Sequence, residues 1–192
     1  LSKRIGGKYQ SFWAHNRAEE RQLLITLLDF LRQRFRRFPG MRIYHYSPQE
    51  RLYLQRLSSR HGLLAGEVRD LLAANGPMRD LQQVVQSAIR TGQGGYSLKE
   101  MEPFYMGSWM RSKDLDNGAD SVIVYDTLTR KGVLEPGAKL AAEDAEQLRL
   151  LALYNEYDCC STALLHHWLI AQRQRPRHSA VTGSADPDSA PK

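Results

Sequence analysis

Residues 38–57 have the sequence FPGMRIYHYSPQERLYLQRL, which combines a turn, a short strand and the start of a helix. The Pro-Gly pair interrupts regular structure, and the run 41–46 that follows is rich in side chains that favour strands. Pro48 then suits the first turn of a helix, and the pattern extends that helix over residues 49–61. This stretch therefore predicts one strand that leads directly into a helix.

The sequence on either side of this stretch is mainly helical. Asn16 can cap a helix over residues 16–37, in which leucines recur at helical spacing. Ser97 and Glu100 have the spacing of a capping box, which predicts another helix start. The remaining helical patterns cover residues 66–74, 78–90, 118–130 and 141–174, the last with a break near Tyr154 and Asn155.

One strand in this sequence has no obvious partner. Because a single strand cannot form a sheet, further strands are expected either in residues 1–14 or in sequence that precedes this chain. Residues 8–14 (KYQSFWA) are a candidate for the end of such a strand.

The composition is that of a single folded domain with a tail. The length of 192 residues predicts one domain over residues 1–175. Residues 176–192 are dominated by Ser, Ala, Pro, Asp and Gly, which predicts a disordered tail. No stretch has 18 consecutive apolar residues, so no transmembrane helix and no membrane partner are expected. The adjacent Cys159 and Cys160 do not indicate a disulfide framework, and a reducing cytoplasm is the expected location.

The charge of the chain is moderately basic. The formal net charge is +6, which is compatible with a polyanionic partner such as nucleic acid. The alternative is that the basic side chains are ordinary helix surface, because cations are favoured by the dipole at a helix C-terminus. Four arginines crowd the end of the first predicted helix: Arg32, Arg34, Arg36 and Arg37.

The most distinctive local pattern is Tyr154-Asn155-Glu156-Tyr157-Asp158. On a helix, Tyr154 and Asp158 share a face, because positions four apart are neighbours. A carboxylate can bind Mg²⁺ or Mn²⁺, and a nearby phenol can orient water for phosphodiester hydrolysis. The alternative for this pair alone is a surface carboxylate beside a half-buried tyrosine.

Five segments in collinear order resemble one family. They are FWAHNRAEERQLL (12–24), residues 38–57, GGYSLKEMEPFYM (94–106), GADSVIVYDTL (118–128) and YNEYDCCSTALLHHWL (154–169). Over roughly residues 9–172 the chain resembles the ribonuclease H-like exonuclease domain, of YprB type and DnaQ-like, that follows a RecB-like nuclease module in a group of bacterial proteins. The resemblance implies an α/β fold, here helix-rich and lacking its first strands, so that the chain corresponds to the C-terminal portion of the domain.

The resemblance also implies a set of site residues. Exonucleases of this DEDD group bind two metal ions, Mg²⁺ or Mn²⁺, through four acidic residues. The third motif, Tyr-x-x-x-Asp, matches Tyr154 and Asp158, and the second acid is assigned to Glu50. The first motif, Asp-x-Glu, is absent, because residues 1–18 contain no acidic side chain. An acid early in a helix is also favoured by the dipole, which is the alternative reading of Glu50.

The resemblance further implies that two residues contact the nucleic acid. Lys99, in the family-like YSLK segment, and His45, in YHYSPQE, are the candidates. Ser97 is most simply a helix cap, and Asp80 is interpreted as a structural or capping residue. The expected partners are single-stranded DNA or RNA, and RecB-like nuclease or helicase domains. The expected activity is metal-dependent exonucleolytic hydrolysis of phosphodiesters; the competing hypothesis is a noncatalytic module that binds nucleic acid or braces a neighbouring domain.

Overall fold

The computed structural model describes residues 6–92, 94–109, 118–135 and 137–174. The predicted tail over 176–192 and most of the loop before residue 118 lie outside the described residues. The helices of this part of the chain are α1 (Arg17–Arg37), α2 (Gln49–His61), α3 (Ala65–Leu72), α4 (Leu81–Ala88), α5 (Leu98–Met101), α6 (Gly118–Arg130) and α7 (Ala142–Gln174). The strands are β1 (Ile43–His45) and β2 (Met78–Asp80). Two 3₁₀ turns cover Glu102–Phe104 and Gly107–Trp109.

The two strands form a small parallel sheet. Ile43 pairs with Met78 and His45 pairs with Asp80. Parallel strands need a crossover connection, and α2 and α3 provide it. The carboxyl ends of both strands therefore meet at one edge, where α2 begins.

The second strand corrects a prediction. The helical pattern over 78–90 predicts a helix from residue 78, whereas Met78–Asp80 form β2 and α4 begins only at Leu81. The reason is that β2 forms through pairing with β1, a nonlocal interaction that helical spacing does not report. Asp80 is the N-cap of α4, since its Oδ1 accepts a hydrogen bond from the Gln82 amide at 2.8 Å.

The strand predicted over 8–14 does not form. The Phe12 ring packs against Phe30 of α1, with centroids 5.9 Å apart. Trp13 lies against the rings of His15 and Tyr125, at centroid distances of 6.0 and 6.3 Å. These aromatic side chains dock the segment on helices α1 and α6, and its backbone is not part of the sheet.

The long last helix is continuous, so the predicted break near Tyr154 and Asn155 is wrong. Asn155 lies within the helix, and its side-chain amide donates to the Leu151 carbonyl at 3.0 Å. Although α7 has 33 residues, neither it nor another helix in the described part of the chain combines the length and apolar character needed to cross a membrane.

Other boundaries agree closely with the sequence patterns. Asn16 caps α1 through a hydrogen bond from the Glu19 amide, and α2 covers Gln49–His61 after Pro48. Ser97 and Glu100 form the predicted capping box.

Two clusters of buried side chains form the core among the described residues. One joins α1, α3 and β2, and the other joins α4, α5 and α7 to the residue after β1. The members of the first are Leu24, Leu28, Val68, Leu71 and Met78. The members of the second are Tyr46, Leu81, Val85, Met101 and Leu165. The second cluster fixes α7, which carries Tyr154 and Asp158.

Asp80 provides a test of how the sheet end is held. Besides capping α4, its Oδ1 accepts a hydrogen bond from the Ser47 amide at 3.1 Å. We expect Asp80→Ala to lower the free energy of unfolding by about 1–3 kcal/mol, because two amides lose their acceptor. Urea denaturation measures this loss. The exposed Asp70→Ala is the control and should change stability by about 0.5 kcal/mol or less; equal effects of the two variants would contradict the bridging role.

Candidate functional site

A cleft of about 960 Å³ runs along β1. All five residues from Ile43 to Ser47 line it. Ile43, Tyr44 and His45 belong to β1, and Tyr46 and Ser47 belong to the turn that follows it. The cleft therefore extends from the strand to the start of α2. β2 pairs with one edge of β1, and the described residues supply no strand for the other edge.

The five residues singled out by the sequence all line this cleft. They are His45, Glu50, Lys99, Tyr154 and Asp158. Glu50 comes from the first turn of α2, directly after the carboxyl end of β1, and the last two come from neighbouring turns of α7. The fold therefore brings together residues that are far apart in the sequence, while the role of each stays a prediction.

Glu50 lies in a partly desolvated position. Its side chain is 50% exposed. Burial of the carboxylate raises the pKa of Glu50, and the negative charge of Asp80 adds to this, while His45 and backbone hydrogen bonds act in the opposite direction. The net result is a carboxylate that is harder to ionise than an ordinary surface glutamate.

His45 forms the floor of the cleft beside Glu50. The ring is only 4% exposed. Its Nδ1 donates to the Ser47 carbonyl at 2.7 Å and lies 3.6 Å from Glu50 Oε2. With Nδ1 as the donor, Nε2 is buried and has no hydrogen-bond partner within the described ranges. Ser47 itself has φ of 92°, a strained value for a residue with a side chain, at the turn between β1 and α2.

The pKa of the Cys159 thiol responds to both candidate acids. Desolvation raises the pKa of Cys159 to about 11, and the charges of Asp158 and Glu50 both add to the shift. Both carboxylates are therefore close enough to the Cys159 thiol to affect its pKa. Cys159 is exposed, and its raised pKa disfavours the thiolate form at neutral pH.

Residues on α7 that the sequence reasoning missed also line the cleft. Thr162 and His166 continue the four-residue spacing of Tyr154 and Asp158, and that periodicity is the signal that could have identified them. The His166 ring contacts Tyr44 of β1, with centroids 4.0 Å apart. Desolvation, with a smaller contribution from His167, lowers the pKa of His166, which favours the neutral form of the ring.

A buried polar network anchors α7 on the side that faces away from the cleft. Glu102 is 1% exposed, and its carboxylate accepts hydrogen bonds from Ser161 Oγ at 3.0 Å and from the Tyr157 hydroxyl at 3.4 Å. Ser161 Oγ also lies 2.8 Å from the Tyr105 hydroxyl. Because Tyr157 and Ser161 flank Asp158 on the helix, this network sets the rotation of α7 that turns Asp158 to the cleft.

The side chains available to a metal ion are few. Within the described ranges, no group of three or more His, Cys, Asp or Glu side chains is placed to hold one. Glu50 and Asp158 remain as carboxylates on one cleft. In number, two carboxylates match the one or two by which Mg²⁺ is commonly held, together with waters and substrate phosphates.

A family model described as the RNase H superfamily matches residues 4–170, which is most of the chain. The chain belongs to the RNase H superfamily. Membership confirms the ribonuclease H-like part of the resemblance, and the helix-rich structure with a small parallel sheet is consistent with an α/β fold. RNase H superfamily membership also agrees with a nucleic-acid hydrolase-like fold. The comparisons with curated proteins and with solved structures found no match.

The network behind α7 can be tested by Ser161→Ala. The substitution removes one hydrogen bond from the Glu102 carboxylate and one from the Tyr105 hydroxyl. We expect a loss of about 1–3 kcal/mol in the free energy of unfolding, because buried polar groups lose their partners. Chemical denaturation of this variant and of the exposed Ser59→Ala, which should be close to neutral, provides the measurement. Equal stability of both variants would contradict the anchoring role.

The raised pKa of Glu50 gives a pH-dependent prediction. At pH 7 the folded protein holds a partly desolvated carboxylate, so Glu50→Gln should raise the melting temperature. Below about pH 4.3, the ordinary pKa of glutamate, Glu50 is protonated in both the folded and unfolded states and the gain should vanish. Thermal melts at pH 7 and pH 4 measure the difference. Glu135→Gln, at an exposed site outside the cleft, is the control; no gain for Glu50→Gln at pH 7 would show that burial of Glu50 carries no penalty.

Proposed function

We propose that this member of the RNase H superfamily is part of a DEDD-type exonuclease domain of YprB type that hydrolyses single-stranded DNA or RNA in the cytoplasm. Its proposed partners are RecB-like nuclease or helicase domains. The observation that carries the proposal is the convergence of Glu50, Tyr154 and Asp158 on one cleft at the carboxyl end of β1. Ligand sites in open parallel sheets commonly lie at this end of the strands.

In this proposal, Glu50 and Asp158 hold a divalent cation, Mg²⁺ or Mn²⁺. When bound, such a cation neutralises phosphate charge and lowers the pKa of a water molecule. The partly exposed Glu50 carboxylate is available to a ligand, unlike that of Glu102, which is enclosed in the core.

The remaining cleft residues would position the reactants. The Tyr154 phenol lies one helical turn before Asp158. Its hydroxyl would donate a hydrogen bond to a water beside the carboxylate, or accept one from that water. Lys99, at the start of α5, supplies a cation for a substrate phosphate. His45, with its buried Nε2, completes the wall on the β1 side.

Two carboxylates are too few for two metal ions. Their combined charge offsets only about half of the four positive charges that a two-metal site holds. We infer that the further carboxylates belong to an Asp-x-Glu segment outside this sequence. In this proposal the segment pairs with the edge of β1 for which the described residues supply no strand, because an open strand edge accepts another strand through its backbone groups.

The second candidate is a noncatalytic module that binds nucleic acid or braces a nuclease or helicase domain. The observation that favours it is the small number of metal-binding side chains in the described part of the cleft. In this case the same fold would keep its nucleic-acid contacts without hydrolysis.

A nuclease assay separates the two candidates. We expect this chain to cleave single strands slowly or not at all with Mg²⁺ or Mn²⁺, and a longer protein that contains Asp-x-Glu to cleave them. In the longer protein, Asp158→Asn should lower the rate by about 10²-fold or more, because an electrostatic group at the reacting phosphate is lost. Tyr154→Phe should lower kcat more than it weakens binding, because the hydroxyl acts on the water.

The matched controls are Asp126→Asn and Tyr53→Phe, which alter an exposed aspartate of α6 and an exposed tyrosine of α2. Both should keep full activity. A longer protein that binds single strands but never cleaves them would establish the noncatalytic module. Full activity of Asp158→Asn would place the chemistry in another domain.

A further inference from the structure

The C-terminal end of α1 presents an exposed aromatic ring between arginines. Phe38, the C-cap residue, is 44% exposed. The guanidinium carbons of Arg34 and Arg37 lie 5.0 and 5.4 Å from the centroid of its ring, within the range of cation–π contacts. Two positive charges are therefore held beside one aromatic surface that solvent reaches.

These arginines differ from their neighbour Arg32. Arg32 is neutralised by ion pairs with Asp29 and Glu67. In the part of the chain that the structure describes, Arg34 and Arg37 have no acidic partner. The helix dipole favours cations at this position, but it does not account for an exposed phenylalanine among them. The combination points to a ligand that carries both negative charge and flat apolar groups.

The arginine end of α1 continues the wall of the cleft. Leu27 and Leu31 line the cleft. Arg34 follows Leu31 by three positions and Leu27 by seven, so it lies on the same stripe of the helix. At a rise of about 1.5 Å per residue, Arg34 is only about 4.5 Å further along the axis than Leu31. Arg34 therefore lies about one helical turn beyond a residue that lines the cleft.

We propose that Arg34, Arg37 and Phe38 form a platform that binds single-stranded nucleic acid and leads it into the cleft. The guanidinium groups would bind phosphates, and the Phe38 ring would stack on a base. A duplex keeps its bases stacked on each other, and an anionic lipid headgroup has no base, so a single strand uses more of this surface than either. The choice of nucleic acid rests on the proposed function.

The test measures affinity and its salt dependence without catalysis. Fluorescence anisotropy of the full chain with labelled oligo(dT) and oligo(U), in EDTA, gives the dissociation constant at several salt concentrations. For Arg34→Gln/Arg37→Gln we expect weaker binding and a log–log salt slope reduced in magnitude by about 1.4, since each phosphate contact contributes about 0.7 for single strands. For Phe38→Ala we expect about 5- to 150-fold weaker binding with an unchanged slope, because stacking is lost and charge is not.

Two further variants separate binding from folding. Arg34→Lys/Arg37→Lys keeps both charges and should keep the salt slope. Arg130→Gln/Arg173→Gln removes one arginine from the last turn of each of α6 and α7, and so matches the loss of helix-end charge. This control should melt as Arg34→Gln/Arg37→Gln does and should bind single strands within about twofold of the parent.

Several results would overturn the platform. One is unchanged affinity and salt slope in Arg34→Gln/Arg37→Gln, and another is an equal loss in the control pair. Loss of binding to phosphatidylserine vesicles with unchanged binding to single strands would assign the surface to a membrane. If this chain binds single strands through these residues but the longer protein never cleaves them, the platform is supported and the proposed exonuclease activity is contradicted. Failure of the platform and failure of the proposed function therefore give different results.

Discussion

The short parallel pairing of β1 with β2 is the constraint on which the cleft depends. Three residues on each strand are a small ladder, and Asp80 closes it by accepting hydrogen bonds from both Ser47 and Gln82. The same carboxylate therefore sets the end of β1, the start of α4 and the strained turn at Ser47. Because α2 begins directly after that turn, the position of Glu50 follows from the position of the ladder.

Two carboxylates of the protein illustrate opposite uses of burial. Glu102 is enclosed and accepts hydrogen bonds from Tyr157 and Ser161, and these bonds hold α7 in place. Glu50 is only half enclosed, its pKa is raised, and the Glu50–His45 contact at 3.6 Å is too long for a strong hydrogen bond. A half-enclosed carboxylate with a raised pKa, such as that of Glu50, is the one that an added cation would stabilise more. The contrast separates a structural acid from a candidate ligand.

Local signals predicted much of this arrangement. The caps at Asn16 and Ser97 gave two helix starts, and the four-residue spacing placed Tyr154 and Asp158 on one face. Strand β2 was missed because three residues carry no periodicity of their own and become a strand only by pairing with β1. The Glu102 network was missed for a similar reason, since its partners lie on α7, distant in sequence. The break expected near Asn155 does not occur, since α7 runs without interruption from Ala142 to Gln174.

The charge distribution makes the proposed binding and the proposed hydrolysis separable. The cleft contributes two candidate carboxylates, a number that matches one divalent cation and is too small for two. The proposed platform at the end of α1 attracts phosphates without any metal, because its arginines are permanently charged. In this proposal, a polyanion binds along α1 whether or not the cleft holds enough carboxylates for two metal ions. Further carboxylates at the cleft would add the proposed hydrolysis without changing the proposed binding surface.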